Sequence, residues 1–203
     1  MNNELSNVLY EQFAQLGLDK KAVQMRFSMD DFERLQNGEK TSLKTINVST
    51  KDLNFDLDAK FSMRKTEDGT FSLRVHTLKN EVATQYKFTE NDMQRLKEND
   101  AIVKIDDSTK TPYLYQLDNQ IKEIMRIEVS KIHVPDFIQD IQLSQNQKEL
   151  LRQGNAIELQ KEGQKLAVKL DLNRQNGFEV KTLERTIEQN ISVEKEKTRG
   201  MKM

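Results

Sequence analysis

The sequence predicts an α+β protein made of three units, each a short capped helix followed by a small antiparallel β-meander. Three observations lead to this prediction. One pattern of helix start, inward leucine and helix stop occurs at residues 27–38, 88–99 and 143–154. Each copy is followed by segments in which apolar and polar residues alternate, as half-buried strands require. The copies begin 61 and 55 residues apart, a spacing typical of one supersecondary unit.

The three predicted helices begin at residues whose hydroxyl groups can accept hydrogen bonds from the first helical turn: Ser28, Thr89 and Ser144. A capping box has Glu or Gln three residues later, so Gln147 fits best and the shorter Asp31 and Asp92 predict looser boxes. Phe27 can pack onto Phe32 one turn into the first helix, whereas Lys148 at the equivalent place predicts a weak apolar contact in the third.

The same helices share their inward residue and their end. A leucine occupies one inward position in each copy: Leu35, Leu96 and Leu151. The helix stops fall where a left-handed backbone conformation favours glycine first and asparagine next: Gly38, Asn99 and Gly154. Each column of the pattern therefore has an explanation in folding, which makes these positions poor candidates for function.

The strands follow from alternation and turn residues. Residues 53–63 alternate, an Asp-Gly turn lies within residues 67–70, and residues 71–75 resume the alternation, which predicts a hairpin. The second unit alternates up to Leu117, turns at residues 118–120 and returns over residues 123–129. The third alternates over residues 166–172, turns at Asn176-Gly177 and pairs back over residues 178–180. These short spacings favour antiparallel meanders over parallel βαβ units.

The ends of the chain differ from the units. Leu9, Phe13 and Leu16 fall on one face of a predicted N-terminal helix closed by Gly17, and residues 18–25 can add a second short helix. The C-terminal residues lose their periodicity, which predicts disorder. The predicted organisation is an N-terminal helical segment, three units and a tail: residues 1–26, 27–85, 86–140, 141–185 and 186–203.

Composition restricts the kinds of function. The 203 residues have a net charge of -1 and include no cysteine, which excludes disulfides, thiolate metal sites and cysteine nucleophiles. The first residues do not resemble a signal peptide, and no apolar run is long enough to span a bilayer. We therefore expect a cytoplasmic protein without membrane contact, and its oligomeric state stays open.

Residues that could support catalysis are few. His76 and His133 have no carboxylate or second histidine at ligand spacing in the sequence, so both are interpreted as ordinary strand or surface histidines. Asp56 and Asp58 lie on the outward side of an alternating strand, which indicates a solvated face. Neither a phosphate-binding glycine loop nor a GxSxG turn occurs. The sequence predicts no enzyme, no catalytic residue, no cofactor and no metal site.

Binding of nucleic acid is the alternative that the sequence leaves open. The near-neutral net charge argues against a dedicated nucleic-acid-binding protein. The C-terminal tail is mildly basic and could contact a phosphate backbone weakly and in a salt-sensitive way. The residues predicted for that contact are Lys195, Lys197, Arg199 and Lys202.

Two parts of the chain resemble known families. Residues 35–43 and 68–76 are similar to an uncharacterised domain family in proteins of bacterial conjugative and mobilisable elements. Residues 132–138 and 143–159 resemble a second family that often follows the first in one chain. Both are domains of unknown function, so the resemblance implies a setting among DNA-processing genes and no mechanism. The third unit departs from the pattern in the shorter, more charged loop at residues 160–165 and occurs once where longer relatives repeat it.

The leading hypothesis is a non-catalytic accessory or adaptor protein of a mobile genetic element that binds another protein through exposed sheet edges or helix faces. The alternative is a nucleic-acid-associated protein of DNA processing or transfer that contacts DNA weakly through its tail. A further alternative is an inhibitor of a host defence enzyme. We expect functional residues where the units diverge: in the first hairpin, in residues 112–118 and in the tail.

Overall fold

The computed structural model describes residues 3–49, 51–82, 85–174 and 176–183, and these residues form an α+β fold. The described part of the chain contains five α-helices: α1 (Asn3–Gln15), α2 (Lys20–Arg26), α3 (Met29–Gln36), α4 (Glu90–Lys97) and α5 (Gln145–Arg152). The predicted tail, residues 186–203, lies outside the described residues.

All described strand pairs are antiparallel. The first sheet contains β1 (Lys44–Ser49), β2 (Asn54–Lys65) and β3 (Phe71–Thr77), with β2 in the centre. The second sheet contains β4 (Ile102–Ile105), β5 (Pro112–Asp118) and β6 (Glu123–Glu128), with β5 in the centre. A short hairpin of β7 (Phe137–Ile138) and β8 (Ile141–Gln142) precedes α5. The third sheet contains β9 (Ile157–Lys161), β10 (Gln164–Leu170) and β11 (Phe178–Leu183), with β10 in the centre.

The helices α3, α4 and α5 begin directly after the predicted cap residues. Ser28, Thr89 and Ser144 each accept a hydrogen bond from the backbone N–H three residues later. Gly38, Asn99 and Gly154 have φ of 72°, 65° and 81°, the left-handed conformation expected after a helix. The prediction that aspartate makes a looser capping box is wrong. Asp31 and Asp92 accept from the cap N–H at 2.9 Å, the same distance that Gln147 reaches.

The first sheet packs its apolar face against α1, α2 and α3. Phe13 of α1 lies with its ring centroid 4.9 Å from that of Phe27 and 5.3 Å from that of Phe61. Leu9 and Val23 complete this core and are also buried. The two N-terminal helices thus share one apolar core with the first sheet.

The N-terminal helix also covers the outer edge of the first sheet. The side-chain amide of Gln12 in α1 donates to the Phe71 carbonyl at 2.7 Å, and its oxygen accepts from the Leu73 N–H at 2.5 Å. An edge strand with free backbone groups is a site for pairing with other chains. The Gln12 amide therefore takes the place that a neighbouring strand would have on β3.

The central strand of the second sheet is buried on both faces. The predicted alternation places Tyr115 and Leu117 inward, and they lie in a core with Leu96 of α4. Leu114 is buried on the opposite face, in a core formed mostly by α5 and the third sheet. Alternation marks only one face of a strand as apolar, so it did not reveal that a second layer covers β5.

Other predictions concern the strands themselves. The strand β1 was not among the strands predicted from the sequence. The β7–β8 hairpin was not predicted, because strands of two residues carry no period. Lys148 of α5 is buried and pairs with the carboxylate of Asp136, whereas the equivalent position of α3 has the ring contact of Phe32 with Phe27.

Candidate functional site

The face of the first sheet that points away from its apolar core is polar. In β2 it carries Lys60, Ser62 and Arg64, and in β3 it carries Arg74 and His76. The strand register places His76 opposite Lys60 and Arg74 opposite Ser62. These side chains therefore form two adjacent rows on one rigid two-stranded ribbon.

Two lysines, Lys40 and Lys60, meet two carboxylates of the second sheet at this face. The Lys60 ammonium donates to both oxygens of Asp118 at 2.9 Å, and both residues are buried. Lys40, in the segment after α3, lies 2.5 Å from Glu123 and 3.6 Å from Asp118. Each buried charge thus has a partner of opposite sign, which a buried charge requires.

The remaining polar groups at this contact form a chain through His76. Its Nε2 lies 2.9 Å from the Ser62 hydroxyl, and its Nδ1 lies 3.1 Å from the nearer oxygen of Glu123. Because the Glu123 carboxylate can only accept, its hydrogen bond with His76 requires a proton on Nδ1. The hydrogen bond from His76 lowers the pKa of Glu123 most, and Lys40 lowers it further against the effect of burial, to about 2.

A hydroxyl, an imidazole and a carboxylate in this order are also the groups of an activated nucleophile. Two features favour a structural interpretation. The Ser62 side chain lies in the middle of β2 and is 7% exposed. Glu123 also forms an ion pair with Lys40, so the imidazole is not the only group that its charge stabilises. We interpret this series of hydrogen-bonded side chains, Ser62, His76 and Glu123, as a connection between the first and second sheets.

The face of β5 that carries Asp118 also holds the third sheet. The Gln116 side chain donates to the Leu170 carbonyl at 3.3 Å and accepts from the Leu172 N–H at 2.8 Å. Leu114, two residues before, lies in the core shared with the third sheet. Alternate side chains of β5 therefore join the second sheet to the third sheet and to the first.

A cavity of about 310 Å³ opens above this network, and we call it the junction cleft. It is lined by residues from the first sheet, from the segment after α3 and from the turn after β10. Its cationic and titratable lining residues are Lys40, Arg64, Arg74, His76 and Arg174. Arg174 is paired with Asp171 at 3.2 Å.

Arg64 and Arg74 differ from the other arginines of the described residues. The side chains of Arg34, Arg95 and Arg126 each have a carboxylate within 4.0 Å, as do those of Arg152 and Arg174. Arg26 donates to the Thr45 carbonyl at 2.9 Å. Within the described part of the chain, no ion pair or side-chain hydrogen bond involves Arg64 or Arg74. Both are exposed at the rim of the junction cleft.

A second surface of interest is the outer edge of β4, the first strand of the second sheet. Val103 and Ile105 are 38% and 65% exposed. An open hollow of about 410 Å³ lies beside this strand, lined in part by Phe88, Lys104 and Tyr115. We call Val103, Lys104 and Ile105 with this hollow the β4 edge.

Two of the capping residues, Asp31 and Asp92, pair with partly buried lysines. Asp31 is fully buried and accepts hydrogen bonds from the backbone and hydroxyl of Ser28 and of Ser42, and Lys44 lies 2.5 Å away. Burial alone would raise the pKa of Asp31, but Lys44 and these hydrogen bonds hold it well below its usual range. Lys104 lies 2.5 Å from Asp92 and lowers the pKa of that carboxyl to about 2.

The residues predicted for nucleic-acid contact, Lys195, Lys197, Arg199 and Lys202, lie outside the described residues. Within the described ranges, no group of three or more histidine, aspartate or glutamate side chains is placed to hold a metal ion. None of the described helices combines the length and the apolar character needed to cross a membrane. His133 does not line the junction cleft, whereas His76 does.

Sequence reasoning missed the ion pairs because their partners are far apart in the chain. His76 and Glu123 are separated by 47 residues, Lys60 and Asp118 by 58. One signal was available: Lys60, Ser62 and Arg64 are consecutive outward positions of one predicted strand, and Arg74 and His76 are outward positions of the next. A hairpin places such rows side by side, so a polar patch was foreseeable although its partners were not.

The comparisons with known proteins identify one similarity. Residues 4–87 match the model of a family described as Protein of unknown function (DUF4099), less than half of the chain. No curated protein and no solved structure matches the chain. The match runs from α1 through the first sheet, so it includes Lys40, Lys60 and His76 and ends before their partners in the second sheet. The first part of this chain is therefore similar to the DUF4099 family, a family of unknown function.

Proposed function

We propose that this protein is a non-catalytic adaptor that binds another protein at the β4 edge. The observation that supports this best is the exposure of Val103 and Ile105 on an edge strand beside an open hollow. A partner segment in extended conformation can add to such an edge through backbone hydrogen bonds, and the hollow can receive one of its side chains.

Other parts of the chain contact both edge strands of the first sheet, which supports the choice of β4 as the binding edge. Gln12 occupies the outer edge of β3. Arg26 donates to the Thr45 carbonyl of β1, and Gly17 approaches the Ser49 backbone closely. Natural proteins cover strand edges that are not meant to pair. The apolar side chains on β4 have no comparable cover among the described residues.

The proposal includes the origin of the fold and its biological setting. The three capped helices and the three-stranded sheets that follow them are copies of one unit, organised as residues 27–85, 86–140 and 141–185. The setting is a bacterial mobile genetic element. The similarity of residues 4–87 to a family of unknown function supports the domain type, and the wider setting rests on the resemblance described from the sequence.

The experiment is co-purification from the native host with mass spectrometry, using the whole chain. Ile105→Lys and Val103→Lys place a charge on the β4 edge, and Met25→Lys is the matched control because Met25 is 78% exposed on α2. We expect partners recovered with the native chain and with Met25→Lys to be lost from both β4 variants. Recovery of the same proteins by all variants would contradict binding at this edge. The tail contact with nucleic acid and the inhibitor hypothesis stay predictions.

A further inference from the structure

We propose that the junction cleft binds a phosphate monoester group of a small ligand, with Arg64 and Arg74 as the groups that recognise it. This binding is separate from the protein contact at the β4 edge. It concerns a different surface, formed by the polar face of the first sheet and the turn after β10.

The first argument is the charge that remains after pairing. At the base of the cleft, Lys40 and Lys60 face Asp118 and Glu123, so two positive and two negative charges balance. Arg174 at the rim is paired with Asp171. Arg64 and Arg74 remain, and their combined charge of +2 matches a phosphate monoester, which carries about -1.5 to -2 at neutral pH.

The charged groups on the far side of these arginines belong to the end of β2 and to the β2–β3 turn. Lys65 and Glu67 offset each other. The carboxylate of Asp68 is directed into the turn, where it accepts hydrogen bonds from Thr66 and Thr70 at 2.5 and 2.9 Å. The turn thus makes a small negative contribution and does not supply an ion pair to either arginine within the described residues.

The second argument is geometry. Arg74 lies opposite Ser62 and Arg64 opposite Ser72, so the two arginines are diagonal neighbours on one face of a paired ribbon. Diagonal positions across antiparallel strands are about 7–8 Å apart, close enough for two long side chains to converge on one group. Guanidinium groups bind phosphate oxygens through paired N–H donors, and strands hold them more rigidly than loops would.

The third argument is the size of the cleft. Ligand pockets are about 300–1,000 Å³, and the junction cleft, at about 310 Å³, is at the lower limit. Gly38 and Leu172 add an uncharged part to its lining. These dimensions suit a phosphate with a small organic group better than a nucleic-acid duplex.

The experiment measures binding to the whole chain by isothermal titration calorimetry at low salt. The probes are inorganic phosphate, adenosine monophosphate, and a short single-stranded oligonucleotide with and without a 5′-phosphate. The test variant is Arg64→Gln/Arg74→Gln. The control is Arg95→Gln/Arg152→Gln, which removes the same charge from α4 and α5. Thermal unfolding of both variants checks that they remain folded.

We expect saturable binding of adenosine monophosphate that inorganic phosphate displaces. Affinity should fall at least tenfold in Arg64→Gln/Arg74→Gln and stay within twofold of the native value in the control. Three results would overturn the proposal: no saturable binding of either phosphate probe at millimolar concentration, an equal loss in the control variant, or equal binding of the oligonucleotide with and without its 5′-phosphate. The last result would indicate a nucleic-acid backbone as the ligand.

Discussion

The ammonium group of Lys60 donates to both oxygens of Asp118 at 2.9 Å, and this buried ion pair joins the first sheet to the second. The partners come from strands 58 residues apart in the chain. Below the junction cleft, the two sheets are therefore joined by a buried ion pair.

Removing one partner of this pair should be costly. We expect Asp118→Asn to lower the free energy of unfolding by about 3–5 kcal/mol, because Lys60 loses its only carboxylate within 4.0 Å in the described residues. Lys60→Met should cost less, since Asp118 keeps Lys40 at 3.6 Å. Urea unfolding measures both. The double variant should be more stable than the sum of the single losses predicts, and strict additivity would contradict a direct pair.

The three capping residues should differ in their effect on stability. Asp31 is fully buried with a lysine partner, Asp92 is partly exposed with one, and Gln147 is neutral. We expect replacement by alanine to cost about 4, about 2 and about 1 kcal/mol respectively. Equal losses in urea unfolding would show that capping alone, rather than the lysine contacts, accounts for the stabilisation.

Glu123 should make stability depend on acid pH. Its pKa is about 2 in the folded protein against an ordinary value of 4.5, so the unfolded chain takes up the proton first as pH falls. The stabilisation is complete above about pH 5 and is lost between that value and about pH 2. Urea unfolding across this range should show a flatter pH dependence for Glu123→Gln than for the native chain.

The control for this pH dependence is Glu158→Gln. Glu158 is exposed and lies 4.0 Å from its nearest lysine, Lys165. Such surface pairs contribute little to stability. The pH dependence of Glu158→Gln should therefore match that of the native chain, and a similar flattening in both variants would argue against the role of Glu123.

Gly17 should tolerate no side chain. A Cβ atom there would lie 2.1 Å from the Ser49 carbonyl oxygen, whereas at Gly177 it would meet open space. Both glycines have positive φ, 81° and 73°, so the conformational cost of alanine is shared, about 1 kcal/mol. Thermal and urea unfolding should show Gly17→Ala to be less stable than Gly177→Ala by at least about 2 kcal/mol. Equal stability would show that the α1–α2 turn can move away from β1.

Local features were predictable from the sequence where the chemistry is local. Cap residues at Ser28 and Thr89 specify helix starts through contacts three residues away, and the α+β class follows from such signals together with strand alternation. The box at Asp31 was underestimated because its strength comes from Ser42 and Lys44, which the helix pattern does not include.

The junction cleft was beyond such reasoning. Its arginines stand on one predicted hairpin, but their lack of partners depends on where every carboxylate of the second sheet lies. Likewise, the alternation in β5 predicts that the face carrying Leu114 and Gln116 is exposed to solvent, but both residues are buried. Only the position of the third sheet explains why Leu114 and Gln116 are buried.

The amide of Gln12 on the β3 edge has a consequence for synthesis on the ribosome. Domains emerge and fold from the N-terminus, so α1 is made about 60 residues before β3. The helix that covers β3 is thus synthesised before β3 itself. The edge of β3 can therefore be covered as soon as it forms, before it pairs with a nascent chain on a neighbouring ribosome. A circular permutant that moves α1 to the C-terminus would reverse this order, and we expect more of it to aggregate during translation than of the native chain.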